Sequence, residues 1–335
     1  MNGLVKPRSV MVYGASGMTK TSQLYHIAKM VLKMLQAQYK RKFKWRMVHS
    51  DGGGWAPFAD SGMIDRGEID IFDYSNREYA LADIRRLSMG YWPRWLENGQ
   101  LYPDWKPGRE MYFKTEDSCK TTPEEWDSIA GYMVEGMTSM SETLKTHISN
   151  QNSGMGFKES WKIEEDGFTV TGLTQGHYGI VQKEVFERHA KGFSSLPCRW
   201  LLYTALVGKG EDRQSRETVY GPQLVGTAST PASPQWFMDV IHLEKVAWDG
   251  DASPIMKNLE LAGDGMHDAM VAWFTTHKDK ETDKPYLVKA RCMPEMFPRL
   301  LEYFPYGFVP LGYKNGLNAY FVALDKIRKE MKCNG

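Results

Sequence analysis

Residues 10 to 25 read Val10-Met11-Val12-Tyr13-Gly14-Ala15-Ser16-Gly17-Met18-Thr19-Lys20-Thr21-Ser22-Gln23-Leu24-Tyr25. An apolar run ends in a glycine-bounded loop, and Lys-Thr then opens a helical pattern. That is the layout of a phosphate cradle: a buried strand leads into a tight loop whose N–H groups converge on an anion, and the next helix adds its positive N-terminal end. In this reading the backbone and side chains of Gly14 to Ser22 hold a nucleotide. Lys20 reaches the β- and γ-phosphates, and the Thr21 hydroxyl ligates Mg²⁺. The usual spacing is G-x-x-x-x-G-K-[ST], and Thr19 stands where its second glycine belongs. A β-branched residue there restricts the backbone and crowds the loop. The alternative is an ordinary strand–turn–helix that happens to carry Lys-Thr.

The formal charge of +1 removes the global basic field that draws a protein to nucleic acid, so any DNA contact has to be local. Aromatic residues make up 13% of the chain, enough to fill a core or to build stacking surfaces. Cys119, Cys198, Cys292 and Cys333 form no C-x-x-C pair, which argues against zinc and a disulfide framework and for reduced thiols. No apolar run reaches membrane-spanning length and the N-terminus has no signal-peptide pattern, so a cytoplasmic protein is expected.

Strand-like apolar runs alternate with helical stretches, which predicts an α/β fold with a mostly parallel central sheet flanked by helices. The expected strands are Val10–Tyr13, Trp45–His49, Ile69–Asp73, Ala130–Val134, Arg199–Leu206, Phe237–His242 and Tyr286–Ala290. Ser22–Gln38 reads as the helix after the first strand, with Leu24, Ile27, Ala28, Val31, Leu32 and Leu35 on one face. Tyr178–Lys191 and the basic, amphipathic Asn315–Lys332 also read as helices. Residues 149 to 176 and Val207–Ser233 look like loops. Residues 85 to 120 form an irregular, aromatic-rich insertion, which suits a satellite apolar cluster better than a surface for stacking bases. These signals predict a core over residues 1–250 and a C-terminal strand and helix extension over 251–335.

Phosphate cleavage also needs a held metal and a group that orients water. In parallel sheets such groups come from the carboxyl ends of strands. Asp51 follows Trp45–His49, Glu135 follows Ala130–Val134, and Thr204 lies near the end of Arg199–Leu206. Acids and hydroxyls are also common at strand ends as turn formers and caps. The eight histidines show no metal-ligand spacing, and His177 reads as structural or as a loop residue. Ser139 and Ser141 have no histidine partner in the sequence pattern, so a hydrolase triad has no support.

The order of the phosphate loop, Ser50-Asp51-Gly52-Gly53-Gly54, Glu135-Gly136-Met137-Thr138-Ser139 and Tyr203-Thr204-Ala205-Leu206 resembles RecA-like P-loop ATP-binding proteins of tailed bacteriophages. The segment Tyr220-Gly221-Pro222-Gln223-Leu224-Val225-Gly226-Thr227-Ala228 is similar to that family's Gly-Pro-x-Leu-x-Gly-x-Ala stretch. It is followed by Pro234-Gln235-Trp236-Phe237 and a strand over Met238–Leu243. Leu87-Ser88-Met89-Gly90-Tyr91-Trp92-Pro93 adds to the likeness. The resemblance runs from about residue 8 to 245 and is loose beyond.

The resemblance implies ATP and Mg²⁺ as cofactors, with Gly14 to Ser22 binding nucleotide. It makes Glu135, with Thr21, serve the metal, and Asp51 activate water. Thr204 and Gln182 would sense nucleotide. It further implies a homo-oligomer acting on phage DNA in recombination, replication or packaging, inside an infected bacterium, with single-stranded DNA or phage DNA-processing proteins as partners. Two departures, Thr19 and the Thr227 found where relatives often have lysine, imply slow hydrolysis. A non-catalytic nucleotide-binding switch is the second reading, and a nucleotide or small-molecule kinase the third.

Overall fold

A continuous run of buried apolar residues drives the first element. Val10, Met11, Val12 and Tyr13 are fully buried, and Arg8–Gly14 forms strand β1. Helix α1 follows over Lys20–Tyr39 and buries the face formed by Leu24, Ile27, Ala28, Val31, Leu32 and Leu35, as its 3.6-residue period requires. The computed structural model describes residues 7–51, 54–75, 77–103, 108–150, 162–165, 168–171, 175–212, 214–226, 229–247, 268–290, 296–311 and 316–333. The fold is α/β: its parallel strand pairs are flanked by helices and extended by antiparallel strands.

The chain divides into two compact units that interleave along the sequence. The first comprises Met1–Arg8, Lys42–Leu201 and Leu224–Gly226. After α1, strand β2 (Lys44–His49), the short helix α2 (Ala56–Asp60), strand β3 (Ile69–Asp73) and helix α3 (Ala80–Ser88) follow in turn. A small antiparallel sheet then forms from β4 (Arg94–Glu97), β5 (Gln100–Tyr102) and β6 (Glu110–Tyr112), in the order β5-β4-β6. Helix α4 (Pro123–Ser128) carries a Thr122–Glu125 capping box and leads into the fully buried strand β7 (Ile129–Glu135). The main sheet of this unit has the order β7-β2-β3, and both pairs are parallel. Helix α5 (Met137–Asn150) leaves β7 through Gly136 and packs against α3 and against the later helix Gln175–Val185.

The aromatic residues of this unit go mainly to its core. Arg46 of β2 is 1% exposed, its guanidinium donating to Thr121 Oγ1 (2.5 Å) and Tyr132 Oη (2.9 Å) and lying 4.9 Å from the centre of the Trp92 ring. Trp92 and Phe113 both meet Phe72 of β3. The expected satellite cluster within residues 85 to 120 is therefore present, anchored on β3.

Two stretches expected to be loops contain strands. Among residues 149 to 176, β8 (Lys162–Glu165) and β9 (Phe168–Thr171) pair as an antiparallel hairpin. Helix α6 (Gln175–Val185) follows and is extended by a π-helical segment, Phe186–Gly192. His189 in that segment is buried and stacked on Phe193, with ring centres 5.5 Å apart. Burial pushes its imidazole down to about 3. An unfolded histidine titrates near 6.5, so from there down to about 3 the unfolded chain binds a proton that the native state refuses. Stability is fully present above pH 6.5 and falls by about 1.4 kcal/mol per pH unit below it. In urea unfolding at pH 7.5 and pH 5, His189 is expected to contribute about 2 kcal/mol of the stability lost, so His189→Gln should shrink the loss by about that amount; an equal loss in the variant refutes the assignment.

The second unit comprises Ser9–Arg41, Leu202–Gln223 and Thr227–Gly335. Strand β10 spans Trp200–Glu211, twelve residues, and β11 (Thr218–Pro222) returns antiparallel to it. Val207–Ser233 is thus a hairpin followed by the short helix α7 (Ser229–Ala232), not one polar loop. Lys209, Glu211 and Gly208 made the end of the strand read as polar, because one face of this hairpin is open to water. Strand β12 (Asp239–Ala247) lies parallel to β1, and β13 (Asp268–Trp273), β14 (Lys289–Ala290) and β15 (Phe308–Pro310) join antiparallel. The order in this unit is β15-β13-β12-β1-β10. β13 and β15 were not foreseen, and Tyr286–Ala290 contributes only its last two residues as strand. The closing helix Asn318–Cys333 packs on α1. Buried Gln23 of α1 accepts from the Leu317 amide (2.9 Å), and Tyr320 donates to Asp239 (2.9 Å). Among the described residues no helix is long and apolar enough to cross a membrane.

Candidate functional site

The loop between β1 and α1 lies wholly in the second unit. Gly14 ends β1 opposite Leu243 of β12, where an added Cβ would stand 2.7 Å from the Leu243 carbonyl oxygen. Close strand packing therefore selects glycine. Ala15, Ser16, Gly17 and Thr19 are exposed, so the loop faces solvent. Gly17 has φ 77° and Thr19 φ 50°, both left-handed. Thr19 is thus in the backbone conformation for which the P-loop pattern uses glycine. A β-branched residue holds it at a cost of about 1–2 kcal/mol. Thr19 is the N-cap of α1, yet its side chain makes no capping hydrogen bond. Lys20 folds back, its Nζ donating to the carbonyls of Gly14 (3.1 Å) and Ala15 (2.8 Å). An arriving phosphate would meet a helix N-terminus and an ammonium already placed over the loop.

The threonine makes a direct prediction. Thr19→Gly is expected to raise the melting temperature or leave it unchanged, against the usual trend for glycine near a helix start, because left-handed strain disappears. A loss above about 1 kcal/mol in chemical denaturation would contradict the strain argument.

In the first unit, parallel pairing aligns His49 with Glu135, and the chain leaves both strands at the same edge of the sheet. The structure therefore brings Asp51 and Glu135 into one neighbourhood. Ser50 donates from its hydroxyl to the Gly136 carbonyl (2.7 Å) and from its amide to the Glu135 carbonyl (3.2 Å). Asp51 accepts a hydrogen bond from Ser139 in the first turn of α5, where a carboxylate is favoured by the helix dipole. Glu135 is 3% exposed, and its carboxylate presses on Gly54, where a Cβ would stand 2.4 Å from Oε2. Gly54 has a steric reason to be glycine. Gly52 and Gly53 lie outside the described residues.

Thr204 is fully buried in β10, which continues seven residues to Glu211, so it does not stand near a strand end as expected. Gln182 of α6 lies against Gly226, where a Cβ would overlap its amide. Thr227 and the His177 side chain fall outside the described residues.

A groove of about 1150 Å³ runs along β3, lined by Trp55, Trp92, Trp95, Tyr79 and Met111 among others. Asp65, Asp70, Asp73 and Glu78 also line it, against Arg77. Four carboxylates to one guanidinium repel a polyanion, which counts against this aromatic surface as a nucleic-acid track.

The histidines correct the reading of the sequence. His242 and Glu244 on β12 and His277 after β13 come together, although their spacing carried no recognised pattern. The one local signal is His-x-Glu, which strand alternation puts on a single face. Burial pushes the His242 imidazole down to about 3, so it is neutral. Burial raises the Glu244 carboxyl, and His277, His242 and Trp273 more than reverse this, leaving it below its ordinary range. Cys119 and Cys198 are buried and free, and burial raises the Cys198 thiol to about 12.

No protein-family model matches the chain, and no match was found among curated proteins.

Proposed function

We propose that the chain binds ATP at the loop between β1 and α1 and hydrolyses it slowly with Mg²⁺, as a RecA-like P-loop ATPase of phage DNA recombination, replication or packaging. The observation that carries the nucleotide reading is the loop itself. Its exposed residues, two left-handed positions and a back-folded Lys20 precede a helix of 20 residues. Backbone amides and the helix end supply the anion site, and Lys20 supplies the mobile charge. Thr21, in the first turn of α1, offers the hydroxyl that P-loops give to Mg²⁺. When bound, Mg²⁺ would neutralise charge on the β- and γ-phosphates. The resemblance gives the metal-serving and water-orienting roles to Glu135 and Asp51; within the first unit Glu135 is buried and Asp51 accepts a hydrogen bond from Ser139.

Titration with ATP, with and without Mg²⁺, followed by phosphate-release assays, tests the proposal. Saturable binding with turnover supports the ATPase. Binding without turnover makes the chain a nucleotide-dependent switch, and turnover only with an added acceptor makes it a kinase. Absence of binding overturns all three. The DNA role is separable, because true phosphate contacts to single-stranded DNA must weaken as salt rises.

A further inference from the structure

We infer that His242, Glu244 and His277 form a binding site for a divalent transition-metal ion such as Zn²⁺, distinct from the Mg²⁺ that accompanies a nucleotide.

Three features of the second unit lead there. First, the donors converge. One ligand atom from each residue lies within 4.8 Å of the others, and His277 Nε2 is 3.2 Å from Glu244 Oε2. Two donors on a tetrahedral zinc, each about 2.1 Å from the ion, stand about 3.4 Å apart. Separations of up to 4.8 Å therefore close by as much as about 1.4 Å when the ion binds. Second, the imidazoles have coordination capacity to spare. His242 Nδ1 and both ring nitrogens of His277 are buried and make no hydrogen bond; despite the 3.2 Å approach, the His277 N–H is not aimed at Glu244. His242 itself is 3% exposed. Such nitrogens are rare unless something absent from the protein chain satisfies them. Third, a supporting shell is in place. Trp273 Nε1 donates to Glu244 Oε2 (2.9 Å), orienting the carboxylate, and Trp273 and Tyr286 both stack against His277 with ring centres 4.1 and 4.3 Å away.

The donor set decides the ion. Two imidazoles and one carboxylate suit zinc, cobalt, nickel or ferrous iron, whereas Mg²⁺ and Ca²⁺ prefer oxygen alone. Three protein ligands leave a position for water or for a ligand of the metal. The place also matters. Register puts His242 beside Tyr13 and Leu243 beside Gly14, so the trio lies where β1 enters the exposed loop. The metal would fix β12 to the segment after β13 at that point. Because the two histidine rings now lie nearly parallel, at 20° with centres 5.2 Å apart, coordination requires them to turn. That movement disturbs the Trp273 stack and gives an optical signal.

The test uses the untagged full chain, freed of metal by a chelator and titrated with Zn²⁺ and Co²⁺ in the absence of nucleotide. The expected result is one equivalent of Zn²⁺ bound with a dissociation constant of about 1 μM or tighter, unaffected by millimolar Mg²⁺. Co²⁺ should give the visible spectrum of a four- or five-coordinate ion. His277→Ala should weaken Zn²⁺ binding by about 100-fold, and Glu244→Gln by about 10-fold. Circular dichroism checks that both variants fold, and the milder Glu244→Gln keeps the test open if His277→Ala does not. No binding below 100 μM (roughly the range of adventitious surface sites), displacement by equimolar Mg²⁺, or unchanged affinity in the folded variants overturns the site. The outcome is independent of whether the loop binds ATP.

Discussion

Lys20→Ala is expected to weaken ATP binding by about 10- to 150-fold, because a charge-assisted hydrogen bond to phosphate is worth about 1.5–3 kcal/mol. Turnover should fall further, since on the proposed reading the ammonium would stabilise negative charge on the transferring phosphoryl group in the transition state. The structure separates this from a folding defect. Lys20 Nζ donates to the carbonyls of Gly14 and Ala15, at an open loop where water can take its place. The melting temperature should therefore move little, by the equivalent of about 0.5 kcal/mol. Lys20→Arg should not restore turnover, because a planar guanidinium cannot occupy the place of a compact ammonium under a tight loop. Isothermal titration and phosphate release read the two effects separately. Unchanged ATP affinity in Lys20→Ala would remove the phosphate reading.

The sequence made some of this legible because single periodicities carried it. Helix α1 buries the six residues its pattern predicts, and β1, β2, β3 and β7 appear within two residues of their expected ends. Asp51 and Glu135 were legible as neighbours because each follows a strand of a parallel pair. What was hidden depended on tertiary context. The second half of β10 has a solvated face, so Lys209 and Glu211 disguised it, and Thr204 was misplaced with it. The histidine trio could not be read at all. His242 and Glu244 are two apart, but His277 arrives only through the antiparallel pairing of β13, with residues 248 to 267 intervening outside the described structure. The left-handed φ of Thr19 was equally invisible, since the residue argues against the conformation it adopts. Local chemistry names the loop, whereas sheet register decides which distant groups meet.

Gly131→Ala should be the most destabilising single-methyl change in the first unit, and geometry sets its scale. Gly131 lies in fully buried β7, paired with Trp45 of β2. An alanine Cβ there would stand 2.2 Å from the Trp200 carbonyl oxygen and 2.6 Å from Trp45 Cζ3. The oxygen belongs to backbone and cannot rotate away, and Trp45 is fully buried. Relief therefore requires strands to separate, and a cost of about 3 kcal/mol or more is expected, a large part of the 5–15 kcal/mol that holds a typical domain. Gly179→Ala in α6 is the matched control. Nothing lies within 4 Å of its added Cβ, and its φ is not left-handed, so the same methyl should stabilise by about 0.5–1 kcal/mol. Urea unfolding of both variants compares one chemical change in two environments. If the two shifts have the same sign, steric closeness does not govern β7.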